Sequence, residues 1–242
     1  MRNDRSSPPA LILLAVLSLL HAGLHTSIAQ PRPIADIHGT VTLTRKTEPD
    51  RHPVGIAERY PGHGSSEVPA GGAAEKPYDM RLSERCVVYL ESDLLNRGKY
   101  VPPDKNPILD QKGLQFHPQV LPILVGTTVD FPNRDNLFHN VFSYSQPKEF
   151  DLGRYPKDDS RSVRFDRPGT VRVYCDIHAH MHATIVVLAH PYFATPGDDG
   201  TYAIRNVPEG RYSLVLWVDR NIVERRSIEV RAGETLTVDF TE

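Results

Sequence analysis

Val173-Tyr174-Cys175-Asp176-Ile177-His178-Ala179-His180-Met181 places a thiol, an imidazole and a thioether within seven residues, Cys175 to Met181. The stretch closes the alternating run Thr170 to Tyr174, which reads as a β-strand. A tight loop at a strand end can turn several side chains toward one point. Upstream, Phe138-His139-Asn140-Val141-Phe142-Ser143 offers a second imidazole at the head of another strand. Two imidazoles and one thiolate with a weak thioether form a donor set suited to copper, because soft sulfur favours Cu(I) while imidazole accepts both oxidation states. A lone cysteine at a strand end is usually a small buried hydrophobe, and a lone methionine core filler. Their joint spacing with the upstream histidine sets this group apart. His180, directly before Met181, offers a competing imidazole. His180 and His182 are expected on the exposed rim of the loop, and His117 and His190 as structural or surface residues.

Outward from this stretch, the chain reads as short strands. Leu236, Val238 and Phe240 alternate with Thr235, Thr237 and Asp239. Similar runs are Gly39 to Leu43, Cys86 to Leu90, Val120 to Val125, Thr128 to Phe131 and Val163 to Phe165. Thr184 to Leu188, Tyr202 to Ile204 and Tyr212 to Trp217 continue the series. Turn residues separate them, as at Pro132-Asn133, Pro168-Gly169, Asp199-Gly200 and Ala232-Gly233. Beyond the N-terminal apolar run, no segment holds a helical apolar period over three turns. The expected class is all-β, built from sandwiches rather than a parallel α/β sheet.

The chain has 242 residues, a formal charge of −2 and two cysteines. That length can bury a substantial core. The near-neutral balance supplies no basic field for nucleic acid, and none is expected as a partner. Two cysteines exclude a disulfide framework and an all-thiolate zinc or iron–sulfur site. Arg2 and Arg5 precede the apolar run Ala10 to Leu20, and Ser27-Ile28-Ala29 follows. The run is about half of the ~20 residues that a spanning helix needs. It reads as a signal peptide over 1–29, cleaved after Ala29, with no stable membrane insertion afterwards. The expected location is periplasmic or secreted, hence oxidising. Thr44 to Ser83 is rich in Pro, Gly, Ser and charge and reads as a long exposed excursion, with His52 and His63 as loop residues.

Several motifs in order resemble the cupredoxins, the plastocyanin and amicyanin family of blue copper proteins. They are Gly126-Thr127-Thr128-Val129-Asp130-Phe131-Pro132-Asn133, His139-Asn140-Val141, Phe165 with Pro168-Gly169, and Tyr174-Cys175. The Cys175, His178, Met181 spacing is the short one of amicyanin. The resemblance covers roughly residues 108 to 190. It implies a Greek-key sandwich holding one type 1 copper ion, with His139, Cys175, His178 and Met181 as ligands. It further implies that the backbone N–H of Asn140 hydrogen-bonds the thiolate sulfur, a contact of the kind that tunes a metal's potential.

The residues after His190 resemble the second half of a carboxypeptidase-regulatory-like domain, a small transthyretin-like sandwich. They include Asp199-Gly200-Thr201-Tyr202-Ala203-Ile204 and Val207-Pro208-Glu209-Gly210-Arg211-Tyr212. Gly39-Thr40-Val41 and Val87-Val88-Tyr89-Leu90 match its first half. The expected organisation is a cupredoxin domain, 108–190, inserted in or packed beside this domain, whose halves are 34–95, with the long loop 44–83, and 191–242. The whole order resembles periplasmic proteins of the methylamine-utilisation or plastocyanin-like type. A Cys86–Cys175 disulfide, which an oxidising compartment permits, would abolish the donor set. Cys86 heads an apolar run and is read instead as a buried, unreactive thiol.

The resemblance implies a one-electron carrier, with a periplasmic redox partner such as a cytochrome c or a dehydrogenase. The alternatives are a copper-handling or scavenging protein, using His180, His182, His52 and His63 as exchange ligands, or a non-redox binding module. No histidine flanks Cys175 as in a His-Cys-His bridge, and no nucleophile elbow occurs, so the chain is expected not to be an enzyme.

Overall fold

The computed structural model describes residues 34–44 and 81–242. The leader, His52, His63 and all but the ends of the excursion lie outside the described residues. The described chain is all-β. Its strands begin with β1 (Ile34–Thr42), β2 (Cys86–Glu91), β3 (Asp110–Lys112), β4 (Gln115–His117), β5 (Val120–Leu124) and β6 (Thr128–Pro132). There follow β7 (His139–Ser145), β8 (Lys148–Tyr155), β9 (Ser160–Arg164), β10 (Gly169–Tyr174), β11 (His182–Leu188) and β12 (Phe193–Ala194). The last are β13 (Thr201–Pro208), β14 (Gly210–Val218), β15 (Asn221–Val230), β16 (Thr235–Thr237) and β17 (Phe240–Thr241). Helix is confined to single turns at Leu82–Arg85 and Asp93–Asn96. Among the described residues no helix is long and apolar enough to cross a membrane.

Three apolar layers hold the sheets together. The first lies between the sheet β13-β1-β16, with β17 also on β1, and the sheet β12-β2-β14-β15. It contains Ile37, Val41, Cys86, Val88, Leu90, Leu214, Leu216 and Phe240. Gly39 in β1 is fixed by close approach, since a Cβ there would run into the carbonyl of Val238. The second layer lies between the sheet β5-β11-β10-β7-β8 and the pair β6-β9, and includes Val129, Phe131, Val141, Val173, Cys175, Met181 and Ile185.

The third layer joins the two sandwiches. Val87, Tyr89, Val215 and Trp217 of β2 and β14 meet Val120, Val186 and Leu188 of β5 and β11. At roughly 1.5–3 kcal/mol for each large apolar side chain fully buried, this contact is a substantial core in its own right. It also explains the sequence of these strands. β2 and β11 are buried on both faces, so Cys86 to Leu90 and Ile185 to Leu188 read as unbroken apolar runs rather than alternations. Polar links flank the layer: His117 lies 3.5 Å from the Glu84 carboxylate, and the Arg172 guanidinium donates to the carbonyl of Arg220 at 3.1 Å.

Candidate metal centre

β10 and β7 are antiparallel neighbours, with Tyr174 opposite Phe142. The end of β10 therefore lies beside the start of β7. His139, the first residue of β7, and Cys175, the residue after β10, fall at the same end of the sheet. The loop from Cys175 to Met181 closes on itself. The Met181 N–H donates to the carbonyl of His178 at 2.9 Å, and the Cys175 N–H donates to the carbonyl of Met181 at 3.3 Å. His178 is thereby carried back over Cys175, while Met181 is fully buried in the same apolar layer as Cys175.

One ligand atom each from His139, Cys175 and His178 lies within 4.8 Å of the others. The two Nδ1 atoms of His139 and His178 are 3.0 Å apart, and Cys175 Sγ is 3.9 Å from His178 Nδ1. That is the span a single ion about 2 Å from each donor bridges. His139 is fully buried and Cys175 is 4% exposed, so two of the donors are held away from bulk water, while His178 is half-buried and closes the group on its outer side. Both cysteines are free, which removes the disulfide alternative. Burial, followed by the neighbouring rings of His139 and His180, pushes His178 below the ordinary imidazole range. Its neutral, lone-pair-bearing form is favoured at neutral pH, as a metal ligand requires.

Asp135 was not singled out from the sequence, and it is the residue that orients His139. Its Oδ2 accepts from His139 Nε2 at 2.9 Å. A carboxylate can only accept, so the ring proton sits on Nε2 and the Nδ1 lone pair points to Cys175 and His178. Burial works to raise the Asp135 carboxyl. It is outweighed by hydrogen bonds from the Leu114 N–H, the His139 ring and the Gly113 N–H, which hold the group below the usual carboxylate range. Asn133, fully buried, shapes the turn between them. Its Nδ2 donates to the carbonyls of Leu137 and Tyr155, and its Oδ1 accepts from the Asp135 N–H at 2.9 Å. The available signal was an acidic residue four positions before a candidate ligand, in a turn opened by an asparagine.

At Asn140 the structure shows a side-chain clamp: Oδ1 accepts from the N–H of Asp176 at 3.3 Å, and Nδ2 donates to Asp151 at 2.7 Å. His180 and His182 are not on an open rim, since both are half-buried. The burial of Met181 between them draws its neighbours inward, and the His182 ring lies 3.0 Å from the carbonyl of His180. His190 is buried, and its ring accepts from the Tyr192 N–H.

Comparison with known proteins finds one family match and several partial structural likenesses. Residues 186–238 match the family described as Polysaccharide lyase family 4, domain II, in the region where the sequence resembles a carboxypeptidase-regulatory-like domain. A copper-containing nitrite reductase from Thermus scotoductus is similar at 28% identity and a TM-score of 0.34, over 38% of this chain and 24% of its own. The chain thus spans about a quarter of that enzyme. A reduced mutant of amicyanin is similar at 22% identity and a TM-score of 0.34, over 42% of this chain and 98% of its own. A purple cupredoxin from Nitrosopumilus maritimus is similar at 25% identity and a TM-score of 0.31, over 35% of this chain and all of its own. No curated protein matches the chain significantly. At these TM-scores the likenesses are partial, and what the centre can do rests on its own atoms.

Proposed function

We propose that this protein binds one type 1 copper ion and acts as a one-electron carrier in a periplasmic or secreted setting, rather than as an enzyme. The observation that supports this most is the convergence of His139, Cys175 and His178 within 4.8 Å, largely shielded from water. Met181, buried in the same apolar layer as Cys175, would offer a thioether as a weak fourth donor. A bound copper supplies reversible exchange between Cu(I) and Cu(II). The protein supplies the rest. Asp135 holds His139, the hydrogen-bonded turn holds His178 over Cys175, and the apolar layer keeps competing water away. Leu137 and Phe138 are exposed directly before His139 and give a redox partner, a cytochrome c or a dehydrogenase, an apolar surface close to the site.

The test is absorption and EPR spectroscopy of the copper-loaded protein, with a competitive titration of stoichiometry. A carrier shows one tightly held copper, an intense visible thiolate-to-copper band and reversible cycling. Replacing Met181 by Leu then moves the reduction potential. Extra weakly held copper without that band would instead identify a copper-handling protein. Failure to take up copper in either oxidation state would leave a non-redox binding module.

A further inference from the structure

Strand β8 is an edge strand that packs Phe150, Leu152 and Tyr155 inward, and its outer residues reach two positions flanking the candidate centre, Asn140 and Asp176. Opposite β7 its register slips: Phe142 faces Asp151 and Asn140 faces Arg154, so β8 carries one residue more than its partner. Gly153, at φ +64°, absorbs the extra residue as a β-bulge. The bulge redirects the Asp151 side chain. Its Oδ1 accepts from the Gly153 N–H at 2.8 Å and from Asn140 Nδ2 at 2.7 Å. Asn140, so oriented, presents its Oδ1 to the N–H of Asp176. The next residue of the bulge, Arg154, reaches the Asp176 carboxylate at 3.1 Å.

Both contacts end on Asp176, the residue directly after Cys175. One fixes its backbone and the other its side chain. Asp176 Oδ1 is buried without a hydrogen bond among the described residues, which makes Arg154 the counter-charge for a partly desolvated carboxylate. Asn140 alone could not secure this geometry, because an amide with an unbonded Nδ2 is free to rotate about its χ2 angle. Asp151 removes that freedom.

We infer that Asp151 and Arg154 are positioning residues that hold the Cys175–Met181 loop from outside through Asn140 and Asp176. The inference rests on the copper reading for its purpose, while the hydrogen-bond frame itself is readable without metal. The first measurement is amide hydrogen exchange of Asp176 in the metal-free full chain. Asp151→Ala is expected to speed that exchange about five- to tenfold, roughly what one hydrogen bond is worth, and Arg154→Ala by a smaller factor. Asp151→Asn retains an acceptor oxygen for both Gly153 and Asn140 and is expected to restore the wild-type rate. The second measurement is the EPR copper hyperfine splitting and the visible band, altered in Asp151→Ala and restored in Asp151→Asn. Unchanged exchange in Asp151→Ala, or an Asp151→Asn protein that behaves like Asp151→Ala, overturns the inference. Should Asp151→Ala not fold, Arg154→Ala decides: an unchanged Asp176 rate there overturns it equally. A wild-type chain that takes up no copper removes the proposed function, and the exchange measurement still judges the frame.

Discussion

The two cysteines sit in neighbouring apolar layers, and only one is placed to act as a ligand. Cys86 is fully buried among Ile37, Val88, Leu90 and Phe240, and Cys175 is nearly so among Val141, Val173 and Met181. Burial alone makes a thiol inert. At Cys86 it pushes the group up to about 12, with the Asp219 charge adding to the effect and Arg85 opposing it. Cys175 differs in what lies across from it, two imidazoles whose Nδ1 atoms turn inward. Sulfur character is common to both layers, whereas convergent donors oriented from behind belong to one. Chemistry here is set by neighbours, and burial only decides how strongly they act.

Exchanging the sulfurs breaks the comparison most directly. Cys175→Ser keeps the approximate shape but replaces a soft thiolate with a hard, weakly acidic hydroxyl. The visible thiolate-to-copper band should vanish, and copper affinity measured against a chelator should fall by several orders of magnitude. Cys86→Ser should leave both unchanged. A Cys175→Ser protein that keeps the band, or a Cys86→Ser protein that loses it, reverses the assignment.

A smaller effect is expected behind His139. Asp135→Asn keeps the size of the side chain, but its amide can turn a donor toward Nε2 and favour the wrong ring tautomer. Loss of a carboxylate behind a ligating histidine typically lowers metal affinity 10- to 100-fold. Nitrogen NMR of the metal-free protein checks the cause, because the His139 proton should no longer reside solely on Nε2. Lower affinity with an unaltered tautomer would show that Asp135 acts by charge instead.

The layered fold was legible because its strands are strongly marked. Cys86 to Leu90 and Ile185 to Leu188 announce themselves as apolar runs since they are covered on both faces. β8 and β15 were not singled out, for the opposite reason. Lys148–Tyr155 and Asn221–Val230 are edge strands rich in charge, and their inward faces are only partly covered: Phe150 and Leu152 pack on one layer and Ile222 and Ile228 on the others, with charged residues between them diluting the alternation. The candidate donors were legible as local spacing: Cys175, His178 and Met181 lie in one loop, and His139 heads a strand. Asp135 and Asp151 were not, because what they do depends on a turn opened by Asn133 and on a bulge at Gly153. Such features write no periodicity into the sequence. The rim expected around His180 failed similarly, since the depth of Met181 fixes it.

The alkaline limb of stability sharpens the contrast from the side of the inert thiol. Cys86 is raised from an ordinary value near 9 to about 12 in the folded chain. Between those values the unfolded chain has lost its proton while the folded chain retains it, so stability falls as pH rises through the window and levels off above it. Each pH unit inside the window costs about 1.4 kcal/mol from this group alone. Cys86→Ala removes that slope and leaves a small cavity, so it should start less stable at pH 8 by about 1–2 kcal/mol and then lose less on going to pH 10. Urea midpoints of the two proteins from pH 8 to 11 measure the difference. Tyr89, Tyr155 and Tyr202, also raised by burial, add their own alkaline losses, but they do so in both proteins and cancel from the comparison. Parallel curves for wild type and Cys86→Ala would mean that the Cys86 thiol ionises without cost, and that its layer is wetter than its packing indicates.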